Sequence, residues 1–213
     1  MSTRRRVVVM AALMVPLVGL FPGEAAAATA PDTTITSAPA SATSSTSASF
    51  AFTATLTPAT FTCKLDTGSA ASCTTPKSYS GLAAGTHTFS VYATSGGATD
   101  TTPATATWKI DTVVPTTPTG LVVSSASPTS TILEWNASTD NTAVTGYDAY
   151  RDGVLLVSPG NVLTYNDLTV VGGSMHTYAV RARDAVGNVS ALTATVSVTA
   201  ALAFNAHLTS ART

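Results

Sequence analysis

Apolar and polar residues alternate along most of this chain. Residues 49–53, 61–65 and 87–93 each place apolar side chains at every second position. Strands show this period because successive side chains point to opposite faces of a sheet. Turn-forming residues such as Asp66-Thr67-Gly68 separate the alternating segments. Residues 31–112 therefore predict a β-sandwich of about seven short strands.

The second half repeats this pattern around residues 133–153. Trp135 lies on the buried face of one predicted strand, and Tyr147 lies on the buried face of the next. Asp152-Gly153 predicts the tight turn of a hairpin. These segments predict a second sandwich whose core is built around the tryptophan and the tyrosine.

The two halves also echo each other. His87-Thr88-Phe89 and His176-Thr177-Tyr178 occupy matching places, each after a glycine-containing turn. No segment with helical period follows the N-terminal run, so the predicted fold class is all-β, with two tandem sandwiches. The predicted organisation is a signal peptide at residues 1–28, a first sandwich at 31–112, a proline-rich, extended linker at 113–118, a second sandwich at 119–200 and a tail at 201–213.

The N-terminus predicts export and cleavage. Three arginines at positions 4–6 precede an apolar run at residues 7–21, and small residues at 25–28 provide a cleavage region. A membrane anchor is the alternative, but the run is shorter than the roughly 20 residues that a spanning helix needs. Thr3-Arg4-Arg5 partly matches a twin-arginine signal, and general secretion is favoured. The mature protein is therefore expected outside the cell, without a membrane segment.

Composition excludes nucleic acid as an expected partner. Charged residues make up 10% of the chain, against a usual share of about 25%. The formal net charge is −1, and removal of residues 1–28 takes away three of the 10 basic and one of the 11 acidic residues. The remaining Lys and Arg residues are scattered, so they form no basic footprint for a phosphate backbone.

The chain has two cysteines, Cys63 and Cys73, in one predicted β region. An exported protein reaches an oxidising compartment, so this pair is expected to form a disulfide. A metal site would need more ligands than two cysteines, and no histidine lies nearby in sequence.

Residues suited to catalysis are few. Hydrolysis of a glycosidic bond needs two carboxylates about 5–10 Å apart across a cleft. The mature chain has one glutamate, Glu134, on a predicted outward face, and its aspartates fall mainly at turns. No G-x-S-x-G elbow occurs, His87 and His176 are predicted as core or corner residues, and His207 lies in the tail. No catalytic residue and no cofactor is therefore predicted.

Residues suited to two kinds of binding site occur in the chain, and each set also has a simpler interpretation. Oxygen ligands for calcium occur at Asp140-Asn141 and at Asp184 with Asn188. The spacing of a known calcium loop is missing, so these are interpreted as turn residues and no metal is predicted. Sugar binding needs clustered exposed aromatics, and the weak candidates for a sugar contact are Tyr150 and Tyr92 on predicted outward faces, with Tyr165 as a further possibility.

The second half resembles a bacterial fibronectin type III domain. The resemblance covers residues 117–200 and rests on motifs that occur in order: Pro118-Thr119-Gly120-Leu121, Leu133-Glu134-Trp135, Ser138-Thr139-Asp140-Asn141, Gly146-Tyr147, Tyr150-Arg151-Asp152-Gly153 and Val180-Arg181-Ala182-Arg183-Asp184. The family usually has tyrosine where this chain has His176, and its hydroxyl ties down a backbone corner. In this chain the imidazole of His176 must make the equivalent hydrogen bond, or the corner is held less rigidly.

The first half, residues 31–112, is similar to an Ig-like repeat of large secreted bacterial proteins. The matching residues are Pro31-Asp32-Thr33-Thr34-Ile35, Phe61, Cys63, Leu65-Asp66, Cys73, Tyr79, Gly81-Leu82, Gly85-Thr86-His87-Thr88-Phe89, Trp108 and Ile110-Asp111. Both resemblances imply non-catalytic modules of secreted polysaccharide-degrading or adhesive proteins.

Three functional hypotheses follow. The leading one is a secreted, non-catalytic spacer or adhesion module that meets a cell-surface or extracellular polysaccharide or protein. The alternative is a carbohydrate-binding accessory module, or a fragment, of an extracellular polysaccharide-degrading glycosidase. The third is an enzyme or the accessory remnant of one. Residues 201–213 are interpreted as a frayed end or as the start of a missing continuation.

Overall fold

The computed structural model describes residues 28–203. The regular elements in this range are all β-strands. No helix within it is long and apolar enough to cross a membrane. The all-β fold class is confirmed for these residues, whereas most of the predicted signal peptide and most of the predicted tail lie outside them.

The first sandwich packs two sheets. One sheet has the strand order β1-β3-β6, and the other has the order β2-β9-β7-β4-β5, with β8 paired to β7. Strand pairing is antiparallel except between β2 and β9. The strands are β1 Thr33–Ser37, β2 Ala42–Thr43, β3 Ala48–Ala54, β4 Thr60–Leu65, β5 Ala71–Cys73, β6 Lys77–Tyr79, β7 Gly85–Ser95, β8 Ala98–Thr99 and β9 Ala104–Ile110.

The second sandwich is antiparallel throughout. Its sheets have the orders β10-β11-β14 and β13-β12-β15-β16. The strands are β10 Thr119–Ala126, β11 Thr131–Asn136, β12 Val144–Arg151, β13 Val154–Gly160, β14 Thr164–Asp167, β15 Met175–Asp184 and β16 Val196–Thr199. The hairpin between β12 and β13 turns at Asp152-Gly153 as predicted, with φ values of 52° and 80°. Positive φ at both central residues fits the turn type that matches strand twist.

Aromatic rings fill the core of the first sandwich. Phe50 of β3 stacks on Phe89 of β7 with ring centroids 4.1 Å apart, and Trp108 of β9 lies 5.1 Å from Phe50. All three side chains are buried. The disulfide between Cys63 and Cys73, predicted from the sequence, joins β4 to β5 beside this core.

The core of the second sandwich buries two tyrosines together with Trp135. The ring of Tyr147 meets Trp135 edge to face at 5.6 Å. Its hydroxyl oxygen accepts a hydrogen bond from the backbone N–H of Ser138 at 3.0 Å. The hydroxyl of Tyr178 donates to Asp167 at 2.8 Å. Each ring therefore contributes apolar area to the core while its hydroxyl holds a loop or strand end in place.

The inward alternation predicted from the sequence is confirmed in both sandwiches. Along β11 the residues of the predicted buried face, Leu133 and Trp135, are buried, and Glu134 between them is exposed. The strands that the pattern missed are short and rich in Ala, Thr and Ser, such as β2 and β8. They carry too few apolar side chains to show a period, and they form because longer neighbouring strands offer backbone partners.

Loss of the disulfide is expected to destabilise the first sandwich. Replacing Cys63 and Cys73 together by alanine removes a cross-link that restricts the unfolded chain, so the free energy of unfolding should fall by about 3 kcal/mol. Urea denaturation of the double variant, compared with the native protein, measures this difference. An unchanged midpoint would contradict the role of the cross-link.

Asp167 is expected to be a stability centre of the second sandwich. Its buried carboxylate accepts hydrogen bonds from Arg151 at 2.8 Å and from Tyr178. Asp167→Asn leaves the partly buried arginine without its counter-charge and should lower stability by about 2–4 kcal/mol. Calorimetry should show this loss, whereas Asp32→Asn, at an exposed aspartate, should change stability by less than about 0.5 kcal/mol.

Candidate functional surfaces and the junction between the sandwiches

Tyr150 lies on the outer face of the four-stranded sheet of the second sandwich. It is half-buried, and the guanidinium of Arg181 lies 5.2 Å from the centre of its ring. Asp148, on the same face, is buried beneath Arg181 and Arg183, whose Nε atoms lie 3.0 and 2.9 Å from its carboxylate oxygens. The aromatic surface at Tyr150 is therefore part of a network of charged side chains.

Tyr92 lies on a different sandwich from Tyr150. It faces outward from β7, opposite Thr62 of β4, and Thr88 on the same face shares a hydrogen bond with Thr107 of β9. The aromatic pairs found within residues 28–203 involve neither Tyr92 nor Tyr150. The structure does not bring the two candidate sugar contacts together into one platform.

Each sandwich contains a histidine–aspartate pair at a turn. In the first, the backbone N–H of Asp66 donates to Thr88, and its carboxylate accepts from the N–H of Thr88 and lies 2.8 Å from Nδ1 of His87. Asp66 has a φ of 50°, a conformation that aspartate tolerates better than most residues. The Nε2 atom of His87 lies 2.9 Å from the carbonyl oxygen of Ala83.

The second sandwich repeats the contacts among aspartate, histidine and threonine, although Nε2 of its histidine contacts the Ser174 hydroxyl in place of a backbone carbonyl. The backbone N–H of Asp152 donates to Thr177, and its carboxylate accepts from the N–H of Thr177 and lies 2.7 Å from Nδ1 of His176. The imidazole of His176 thus holds this turn in place, which is one of the two outcomes expected from the sequence. The matching His-Thr segments of the two halves were the signal for this repeat, but the aspartate partners could not be found from spacing.

Ser174, His176 and Asp152 have the order of a hydrolytic triad but not its hydrogen bonding. The Oγ atom of Ser174 lies 2.9 Å from Nε2 of His176 and 2.6 Å from the carbonyl oxygen of Val171. A carbonyl only accepts, so the hydroxyl proton points to Val171. A nucleophilic serine must instead give its proton to the imidazole. The arrangement therefore braces a turn.

The environment of His87 favours its charged form. The carbonyl of Ala83 and then the carboxylate of Asp66 raise the pKa of His87 above its ordinary value of 6.5. Burial acts to raise the pKa of Asp66, but hydrogen bonds from His87 and Thr88 outweigh it, so that pKa lies below 3.8. Both shifts favour the charged form of each partner, so the contact favours an ion pair over a pair of neutral groups.

A hollow of about 340 Å³ lies beside the disulfide. Its walls include Cys63, Leu65, Cys73 and Tyr79, and Lys77 is its sole charged lining residue. The ammonium of Lys77 lies 5.2 Å from the ring centre of Tyr79. This lining offers no pair of carboxylates for glycosidic chemistry.

The two sandwiches meet at a hydrogen-bonded junction around Asp111, the first residue after β9. Its buried carboxylate accepts hydrogen bonds from the N–H of Val113 at 3.1 Å, from Asn141 at 3.2 Å and from the hydroxyl of Thr142. The amide of Asn188 donates to the carbonyl oxygens of Asp111 and Val113. The segment that joins the sandwiches is thus bonded to two loops of the second one.

Both aspartates that were considered as oxygen ligands from the sequence lie at this junction. Asp140 and Asp184 lie with Asp111 so that one carboxylate oxygen of each is within 4.8 Å of the others. Asp111 was missed because the linker and at least two strands, β10 and β11, separate it in sequence from the other two aspartates. Its position directly after the last strand of the first sandwich was the one available signal.

Known proteins resemble parts of the chain. No protein-family profile matches it. Chitinase Chi52 of Paenibacillus xylanexedens is 45% identical over 92 residues, which cover 41% of this chain and 17% of that protein. Exoglucanase A of Cellulomonas fimi is 48% identical over 82 residues, which cover 38% of this chain and 9% of that protein. The chain therefore spans less than a fifth of the length of these curated relatives.

Solved structures resemble the fold over a longer range. Fibronectin(III)-like modules of Clostridium thermocellum CbhA match with a TM-score of 0.53 and 16% identity, over 80% of this chain and 95% of that one. The chicken CNTN1 FN1-FN3 domains match with a TM-score of 0.51 and 12% identity, over 81% and 67% of the two chains. These shares exceed either sandwich alone, so the similarity in fold extends over both.

The His87–Asp66 pair should make stability depend on pH. Because the pKa of His87 is higher in the folded than in the unfolded chain, its contribution is complete below about pH 6.5 and is lost as pH rises through the folded value. NMR titration of the imidazole should give a midpoint above 6.5, and Asp66→Asn should lower that midpoint. A native midpoint at or below 6.5 would contradict the ion pair.

Proposed function

We propose that this chain, whose two sandwiches have the fibronectin type III fold, is a secreted, non-catalytic spacer module that accompanies polysaccharide-degrading enzymes. The observation that carries the proposal is the pattern of relatives. A stretch about as long as one sandwich is similar to parts of a chitinase and of an exoglucanase. Those names denote different substrates, so a module common to both is better suited to a role that does not depend on the substrate.

The side-chain chemistry of the described residues supports this role. Both His–Asp pairs brace turns, Asp167 holds Arg151 and Tyr178, and Asp148 holds two arginines. A side chain whose hydrogen bonds are used within the fold is poorly placed to exchange protons with a substrate.

An extracellular location also fits the disulfide. A bond between Cys63 and Cys73 persists in an oxidising environment and is rare in the bacterial cytosol. Together with the export signal expected at residues 1–28, this supports action outside the cell.

Carbohydrate binding is the second candidate. The partial exposure of Tyr150 and Tyr92 on outward faces favours it, since sugars stack on exposed rings. Their separation on two sandwiches weakens it, and the guanidinium of Arg181 already contacts the ring of Tyr150. We therefore propose that the module acts as a spacer in proteins that act on polysaccharides and does not itself bind the polymer.

Retention on insoluble polysaccharides separates the two candidates. The purified native protein and the variants Tyr150→Ala and Tyr92→Ala, one for each candidate sugar contact, should all remain in the unbound fraction with chitin, cellulose and xylan. Retention of the native protein that is lost in Tyr150→Ala would overturn the spacer role in favour of carbohydrate binding.

Catalysis is tested separately on the same preparations. Incubation of the native protein with these polysaccharides should release no reducing sugar above a protein-free blank. Release that depends on protein concentration would contradict the proposal that the chain is non-catalytic.

A further inference from the structure

Three aspartates from three separate segments meet at the junction of the sandwiches. Asp111 follows β9, Asp140 lies in the loop between β11 and β12, and Asp184 ends β15. One carboxylate oxygen of each lies within 4.8 Å of the other two. Asp111 and Asp184 are almost completely buried, with 2% and 4% exposure.

The negative charge of this group is not balanced by the side chains around it. The donors to Asp111 and Asp184 are neutral amides and a hydroxyl. Within residues 28–203, none of the three aspartates forms an ion pair. The ammonium of Lys109 donates to the hydroxyl of Thr142 at 3.2 Å, and that hydroxyl in turn donates to Asp111. A single lysine that contacts the group only through a hydroxyl cannot neutralise the charge of three carboxylates.

A cluster of carboxylates alone does not indicate an ion, but a second observation does. The Oδ2 atom of Asp140 accepts hydrogen bonds from the N–H groups of Thr142 and Ala143 at 2.8 and 3.2 Å. Its Oδ1 atom exposes less than 1 Å² and accepts none from the described residues. A charged oxygen that is hidden from water and lacks a donor is costly unless a cation contacts it.

Donors are also in short supply elsewhere at the junction. The Nδ2 atom of Asn188 has two hydrogens but faces three oxygens: Asp184 Oδ2 at 2.7 Å, the carbonyl of Asp111 at 2.9 Å and the carbonyl of Val113 at 3.1 Å. The site is therefore rich in acceptors of both carboxylate and carbonyl type. A hard cation prefers this mixture of ligands.

The ligand chemistry favours calcium. Calcium binds six to eight oxygens at about 2.3–2.6 Å, so two ligand oxygens on opposite sides of one ion lie about 5 Å apart. The 4.8 Å limit on the aspartate oxygens fits within this sphere. Magnesium demands a smaller, regular octahedron, and zinc prefers nitrogen and sulfur, which this group does not offer.

We propose that Asp111, Asp140 and Asp184 bind a calcium ion at the junction of the two sandwiches. Asp111 belongs to the end of the first sandwich, whereas Asp140 and Asp184 belong to loop and strand ends of the second. An ion held by all three fixes the angle between the sandwiches. Calcium in the medium then stiffens the tandem, and its removal loosens the junction without unfolding either core.

The binding itself is tested by calorimetric titration of the native protein, stripped with a chelator, with calcium up to about 10 mM, because extracellular calcium modules bind at about 10⁻⁴–10⁻³ M. One equivalent should bind, and magnesium at the same concentration should not compete. Ligand binding to the folded state should also raise the melting temperature in calcium over that in chelator.

Two variants locate the site. Asp140→Asn keeps an acceptor for Thr142 and Ala143 but removes the charge, so calcium affinity should fall at least about tenfold. Asp32→Asn, an equal charge change at an exposed residue outside the group, should bind as the native protein does. Circular dichroism of Asp140→Asn without calcium should match that of the native protein.

A measurement on the native protein covers the case in which Asp140→Asn does not fold. Calcium should shift the backbone amide signals of residues 111–113, 139–143 and 184–188 in NMR spectra, and leave those of the disulfide hairpin unchanged. The proposal is overturned if no calcium binds at 10 mM, if the shifts fall elsewhere, or if a folded Asp140→Asn binds as tightly as the native protein.

Discussion

The hydroxyl of Tyr147 connects the core of the second sandwich to its contact with the first. The ring is buried against Trp135, and the hydroxyl oxygen accepts the N–H of Ser138, which opens the loop that carries Asp140. That loop then forms hydrogen bonds with Thr116 of the linker and with Asp111 at the end of the first sandwich. A core side chain thus sets the position of the junction, because a buried hydroxyl must find a partner and here finds a loop backbone.

The two sandwiches are stabilised by different interactions. The first joins two of its strands by a disulfide and stacks two phenylalanine rings in its core. The second has no cysteine and buries Asp167, held by Arg151 and by Tyr178. Burial and the bond to Asp167 raise the pKa of Tyr178 to about 12, which keeps its hydroxyl protonated as a donor.

Several polar side chains in this protein form hydrogen bonds that hold turns of the backbone in place. Asp66 and Asp152 each hold a histidine and a following strand, and this shared geometry marks the sandwiches as variants of one plan. At the junction, three further aspartates meet, and none of them forms an ion pair within residues 28–203. These aspartates come from elements that only the tandem arrangement brings together.

The sequence by itself determined the long alternating strands and their core-facing side chains, the hairpin at Asp152-Gly153 and the pairing of Cys63 with Cys73. These follow from local rules: side chains alternate along a strand, two residues with positive φ make a tight turn, and two cysteines pair in an oxidising compartment. The partners of His87 and His176, the burial of Asp148 beneath two arginines and the meeting of Asp111 with Asp140 and Asp184 were decided by tertiary structure alone. Each depends on the packing of strands and loops distant in sequence, and alternation along one strand carries no information about which residues lie across a junction.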